Sequence, residues 1–284
     1  MGHVDHGKTK TLDTTSLIII LIIIESISIA SEITSQKITK NVENENIEVL
    51  LNEFIDNLIN NPGSYNWQDY GYGNVGLAIE NEEGRIIPNS VSYSKLIALK
   101  KNYKKLVFEK IFNKKIKTSI ELIPKTSISS VKIGENFYTS KDIYSVNRLV
   151  KCDFYKKYVI KDFQRLGKCN HDHDPHSHSC NYFKLFKKNL KKSDYYLLID
   201  DDVNYYTDTT QTKWELWRPT KNSIYLNDEI DMFNNQSSEI VFVHFDKKNV
   251  KAVLVSVPKN FDKSKLKYDY FITNDCKLIL KAWY

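Results

Sequence analysis

The sequence lacks the short motifs that mark the common enzyme classes. It contains no Gly-x-Ser-x-Gly elbow and no His-Glu-x-x-His pair, and no cysteine–histidine pair has a third member that would complete a catalytic constellation. Its formal net charge is only +6 over 284 residues, which is weaker than the concentrated basic surface of a nucleic-acid-binding domain. The sequence therefore predicts a protein that is not an enzyme, requires no cofactor and binds no nucleic acid.

Glycine, methionine and cysteine are also scarce, whereas tyrosine is abundant. The chain has 9 Gly and 2 Met against 18 Tyr, a balance that favours strands in its later parts. All four cysteines lie in the second half, at Cys152, Cys169, Cys180 and Cys276. In an oxidising compartment four cysteines allow three pairings, whereas in a reducing compartment metal binding or free thiols are favoured.

The most distinctive stretch that is present is an apolar run near the N-terminus. Residues 17–24 are eight consecutive Leu and Ile, each of which favours membrane insertion by roughly 0.3–0.6 kcal/mol. A helix from Thr14 to Ala30 would be about 25 Å long, the short limit for spanning a bilayer. We therefore expect residues 14–30 to contact the lipid bilayer. Apolar residues then recur at helical spacing up to Asn60, so residues 14–60 are predicted to form one transmembrane and amphipathic helix.

The first residues also match a nucleotide-binding pattern. Gly2 to Thr9 reads GHVDHGKT, which fits G-x-x-x-x-G-K-[ST] and resembles the phosphate loop of translational GTPases. That loop works only between a buried strand and a helix, and here no strand precedes it and an apolar segment follows. We therefore expect no nucleotide binding.

The same region resembles the leader of archaeal class III, type IV pilin-like exported proteins. The resemblance rests on GKTKTLD (Gly7 to Asp13) followed by SLIIILIIIESISIA, and a looser likeness extends over residues 60–150. It implies cleavage between Gly7 and Lys8, with Asp13 as the acidic residue near the mature N-terminus. It also implies like subunits of a filament as partners, and a place in the cell membrane with the C-terminal part extracellular.

Composition and hydrophobic pattern divide the rest of the chain. Residues 1–13 form a polar leader, 62–150 a mixed α+β domain, 151–192 a Cys/His-rich connector and 193–284 a β-rich domain. The predicted fold class is α+β, with a long N-terminal membrane or pilin-like helix before a mixed α/β part and a β-rich C-terminal part.

The connector contains a candidate metal site in the sequence CNHDHDPHSHSC. Imidazole nitrogen and thiolate sulfur are preferred ligands of zinc and copper, and such tracts are a recognised metal-binding composition. A Cys169–Cys180 disulfide is the alternative, and it would still bring the histidines together. His244 stands alone on an apolar strand and is expected to be a core imidazole. The candidate ligands are Cys169, His171, His173, His176, His178 and Cys180.

Two functions follow from these patterns. The first is a membrane-anchored or pilin-like cell-surface protein with a structural or interaction role. The alternative is an exported protein that binds zinc or copper through the loop from Cys169 to Cys180.

Overall fold

The computed structural model describes residues 14–136, 143–164, 167–168, 171–172, 174–209, 216–227 and 237–283. The α-helices are α1 (Thr14–Asn60), α2 (Trp67–Tyr70), α3 (Tyr93–Tyr103) and α4 (Lys187–Leu190), and a π-helical segment, Lys104–Glu109, follows α3. Short 3-10 turns occur at Lys156–Tyr158, Lys263–Lys265 and Tyr268–Phe271.

The first seven strands are β1 (Ala78–Glu80), β2 (Ile86–Val91), β3 (Lys117–Pro124), β4 (Val131–Gly134), β5 (Tyr144–Cys152), β6 (Val159–Asp162) and β7 (Ser179–Phe186). The next seven are β8 (Ser193–Ile199), β9 (Asn204–Thr209), β10 (Arg218–Pro219), β11 (Ser223–Tyr225), β12 (Ser238–Phe245), β13 (Ala252–Pro258) and β14 (Asn274–Trp283). They form sheet 1 in the order β1-β2-β5-β14-β3-β4, sheet 2 in the order β10-β9-β12-β7 and sheet 3 in the order β11-β8-β13-β6. The chain divides into two compact units, Met1–Glu53 and Phe54–Tyr284, and all three sheets belong to the second.

Sheet 1 is covered on one face and open on the other. Along β14 the even-numbered residues from Cys276 to Ala282 are buried, whereas Lys277 and Lys281 are exposed. On the covered face, the hydroxyl of Tyr103 on α3 hydrogen-bonds the backbone oxygen of Thr118 at 2.6 Å. This alternation is the period-two pattern of a strand with one buried face.

The last turns of α1 contribute to the same covered face. Arg148 of β5 donates two hydrogen bonds to the Asp56 carboxylate, at 2.7 and 3.0 Å. The chain leaves the helix through Pro62 and Gly63, and it then returns close to itself at Gly76, where an added Cβ would clash with the backbone oxygen of Asn61. Only glycine fits that approach.

Sheets 2 and 3 face each other across a shared hydrophobic core. Sheet 2 contributes residues such as Phe183, Val243 and Phe245, and sheet 3 contributes Leu197 and Leu254. The second face of sheet 3 is covered as well, by a cluster that includes Leu266, Tyr268 and Phe271. Because sheet 3 is buried on both faces, β8 and β13 are apolar along most of their length without alternation.

The predicted fold class is wrong. The second unit is built around three sheets, and β14, from the end of the chain, pairs with β3 and β5, so no mixed α/β part precedes a separate β-rich part. Pairing between strands distant in sequence is not visible in local hydrophobic patterns.

The predicted membrane-spanning helix is also wrong. Among the described residues, no helix combines the length and the apolar character needed to cross a bilayer. The unbroken Leu/Ile run of residues 17–24 covers about 12 Å of helix, against a hydrocarbon core of about 30 Å, and Glu25 follows it directly. The predicted transmembrane, pilin-like character depended on that helix, and so did the predicted location in the cell membrane. Both predictions are corrected because the helix does not meet the requirement for spanning a bilayer. Gly7, Lys8 and Asp13 lie outside the described residues.

Candidate metal centre

The site begins with the register of two neighbouring strands of sheet 2. Phe242 of β12 lies opposite Asp208 of β9, and His244 lies opposite Tyr206. Because side chains alternate along a strand, these four residues lie on the face away from the core that receives Val243 and Phe245. Asp208 and His244 are therefore diagonal neighbours on one face.

A third polar side chain joins them from the loop before β7. The Nε2 atom of His244 lies 3.2 Å from Asp208 Oδ1, and His171 Nε2 lies 3.9 Å from Asp208 Oδ2. One ligand atom from each of the three residues lies within 4.8 Å of the other two. The His244 side chain is fully buried, that of Asp208 is 8% exposed and that of His171 is 25% exposed, so the site meets solvent on the His171 side.

Backbone hydrogen bonds hold this loop against sheet 2. The backbone N–H of His178 donates to the Phe245 oxygen at 2.8 Å, and that of Asp174 donates to the Tyr206 hydroxyl at 3.3 Å. The loop also closes on itself, because the Ser177 N–H donates to the Asp174 oxygen at 2.9 Å. The part of the loop from Asp174 to His178 is therefore fixed against sheet 2.

Aromatic rings restrict the two imidazoles. The His244 ring stacks on Tyr206 with centroids 4.2 Å apart and planes 2° from parallel. The His171 ring stacks on Phe242 at 3.9 Å, and Trp217 meets Tyr206 edge-on at 4.7 Å. Stacking limits rotation of both rings, so the nitrogen positions are set before any ligand arrives.

The remaining nitrogen of His244 also has a partner. Ser177 Oγ lies 3.2 Å from His244 Nδ1, and the same imidazole contacts Asp208 through Nε2. Serine, histidine and aspartate are the residue types of a hydrolase triad, but Ser177 is 0% exposed, so a substrate carbonyl cannot reach its Oγ. Ser177 instead orients the imidazole, as the outer partner of a metal-binding histidine does.

The donor types and separations fit a transition-metal ion. In a tetrahedral zinc site the donors lie about 2.0–2.2 Å from the ion and therefore about 3.3 Å from one another. The 3.2 Å separation between His244 Nε2 and Asp208 Oδ1 matches this value. His171 Nε2 lies 3.9 Å from the other carboxylate oxygen, Oδ2, and the three ligand atoms lie up to 4.8 Å apart, so binding one ion requires the cluster to close by up to about 1.5 Å. Two imidazoles and one carboxylate leave a coordination position for water or a further ligand.

The sequence-predicted ligands occupy different places. His171 is in the cluster, His176 and His178 are exposed on the loop, and Cys180 is buried in β7 and disulfide-bonded. Cys169 and His173 lie outside the described residues. The other two cysteines, Cys152 and Cys276, are free and buried in sheet 1.

Sequence reasoning missed Asp208 and placed His244 in the apolar core. His244 is buried, but its ring lies among polar partners on the face of sheet 2 opposite the core. Period-two alternation along β12 was the available signal, because it assigns Val243 and Phe245 to one face and His244 to the other.

Comparison with known proteins identified no relative of this chain. No protein-family model, curated protein or solved structure matches the chain. The comparisons therefore lend no support to the pilin-like or signal-peptide interpretation of the N-terminus.

Proposed function

We propose that this protein binds a divalent transition-metal ion through His171 Nε2, His244 Nε2 and the carboxylate of Asp208. The observation that carries the proposal is the convergence of three ligand atoms within 4.8 Å of one another, contributed by one loop and two strands. The stacked imidazoles and the hydrogen bond from Ser177 support it, because they fix the donors in place.

Zinc and copper are the ions that this donor set favours. Imidazole suits both metals, a carboxylate is a common third ligand of zinc, and copper binds most tightly in the general order of divalent ions. The exposed His176 and His178 offer an alternative pair of ligands on the same loop. A binding experiment must therefore separate the cluster from the loop histidines.

The experiment is calorimetric titration of the full chain with Zn²⁺, followed by Cu²⁺. We expect the wild-type protein to bind one ion per chain, and Asp208→Asn and His171→Ala each to weaken binding by about tenfold or more, because each removes a ligand. The matched control is the double variant His176→Ala/His178→Ala, which should retain the wild-type affinity. Circular dichroism checks that every variant is folded. Loss of binding in the control, with full affinity in Asp208→Asn and His171→Ala, would contradict the proposal.

A further inference from the structure

Cys180 lies beside one of the proposed metal ligands, His244. In the pairing of β7 with β12, Cys180 is directly opposite His244. The side chains of directly opposite residues lie on the same face of a sheet, with Cβ atoms about 4.5–5.5 Å apart. Cys180 is 4% exposed and takes part in a disulfide.

Because Cys180 lies beside His244, the redox state of its disulfide determines whether its sulfur can bind a metal ion at the site. A sulfur bonded to another sulfur is a poor metal ligand, whereas a thiolate is among the strongest ligands for zinc. We propose that the Cys180 disulfide controls the metal site, and that its reduction supplies the Cys180 thiolate as a further ligand beside His171, Asp208 and His244. This inference rests on the proposed function of the same cluster.

The reaction is a two-electron reduction by a dithiol. The dithiol transfers two electrons and two protons, the protein S–S bond breaks to give two thiols, and the reductant becomes a disulfide. When the metal binds, the Cys180 S–H bond breaks, a metal–sulfur bond forms and the proton passes to solvent.

The two redox states then have different coordination chemistry. The oxidised protein offers two nitrogens and one oxygen, which leaves an open position for water. The reduced protein adds a sulfur and offers the four protein ligands of a closed tetrahedral site, which binds zinc more tightly. The redox state of the Cys180 disulfide would therefore set both the affinity of the site for a metal ion and its preference among metals.

Cobalt(II) is the probe, because it reports its ligands through its visible and near-ultraviolet absorption. The full chain is titrated with cobalt chloride as purified, and again after reduction with dithiothreitol and anaerobic removal of the reductant. We expect a thiolate-to-cobalt charge-transfer band only in the reduced protein, with Zn²⁺ affinity raised by roughly tenfold or more.

Two variants decide whether Cys180 is the ligand. Cys180→Ser should bind cobalt without the charge-transfer band in either redox state, whereas Cys276→Ser, which removes a buried free thiol in sheet 1, should behave like the wild type. A reduced wild-type protein without the band, or a band that persists in Cys180→Ser, would overturn the inference.

Failure of this inference is distinguishable from failure of the proposed function. If the oxidised protein binds cobalt and reduction adds no band, only the role of Cys180 fails. If the oxidised protein binds no metal, and the reduced protein binds it with a band that Cys180→Ser abolishes, the three-ligand function fails while Cys180 is retained as a ligand.

Discussion

At the scale of single residues, the hydroxyl of Ser177 can hydrogen-bond His244 in both the metal-free and the metal-bound state of the proposed site. A carboxylate only accepts hydrogen bonds, so His244 Nε2 carries the proton when it contacts Asp208, and Nδ1 accepts from Ser177. When Nε2 binds a metal, the proton moves to Nδ1, which then donates to Ser177. A hydroxyl can donate or accept, and the imidazole keeps a partner throughout.

We therefore expect Ser177→Ala to weaken Zn²⁺ binding by about 10- to 100-fold, as loss of an outer hydrogen-bond partner typically does. The matched control is Ser179→Ala, another fully buried serine, whose hydroxyl donates to the Lys247 backbone oxygen at 2.9 Å. Both variants lose one hydrogen bond of a buried serine, but only the first involves a proposed metal ligand. Titration calorimetry distinguishes them, and equal Zn²⁺ affinities in the two variants would assign Ser177 a purely structural role.

The two buried thiols of sheet 1 give a second prediction at this scale. Cys152 pairs with Asn274 and Cys276 pairs with Val150, so the two cysteines are diagonal across β5 and β14. Diagonal neighbours lie about 7–8 Å apart, beyond the reach of a disulfide without backbone movement. Burial raises the pKa of the Cys276 thiol to about 12 and raises the pKa of Cys152 as well.

We expect neither thiol to react with iodoacetamide in the native protein at neutral pH, because both are buried and protonated. Both should react after denaturation without a reductant. Mass spectrometry of the alkylated peptides measures this. Rapid labelling in the native state, or no labelling of this pair after denaturation, would contradict the arrangement of sheet 1.

At the scale of elements, β14 is the strand on which sheet 1 depends, since it pairs with β3 on one side and β5 on the other. Leu278→Ala removes a fully buried side chain from its covered face and should cost about 2–5 kcal/mol of unfolding free energy. Lys277→Ala, one residue earlier on the open face, should change stability by no more than about 0.5 kcal/mol. Urea denaturation compares the two, and similar losses would mean that the covered face is misassigned.

The same elements show what the sequence could predict. Within the β-rich range 193–284, alternation and β-branched residues predict strands at Ile240–Phe245 and Lys251–Val257, where β12 and β13 lie. The same pattern also predicts a strand at Lys267–Thr273, and this prediction is wrong, because Tyr268–Phe271 forms a 3-10 turn whose aromatic rings cover sheet 3. Aromatic residues favour burial in either form, so composition alone could not separate them.

The site was less predictable than the strands. His171 was visible in a His-rich tract, whereas Asp208 and His244 meet only because β9 and β12 pair in one particular register. A shift of one residue would send His244 into the core, and no local pattern specifies which strands become neighbours.

At the scale of the whole molecule, metal binding and folding are expected to be coupled. The three donors come from a loop and two strands that are distant in sequence, so they converge only in the folded chain, and we expect metal binding to stabilise the folded sheet. The proposed metal ligands His244 and Asp208 and the disulfide-bonded Cys180 lie on one face of sheet 2, so we expect this face to be the functional surface of the protein.

Anomalous diffraction at the zinc absorption edge, on crystals of the full chain grown with Zn²⁺, locates the bound metal. We expect an anomalous peak about 2.0–2.2 Å from His171 Nε2, His244 Nε2 and a carboxylate oxygen of Asp208. No peak between these three side chains, with zinc bound only at the exposed His176 and His178, would contradict this expectation.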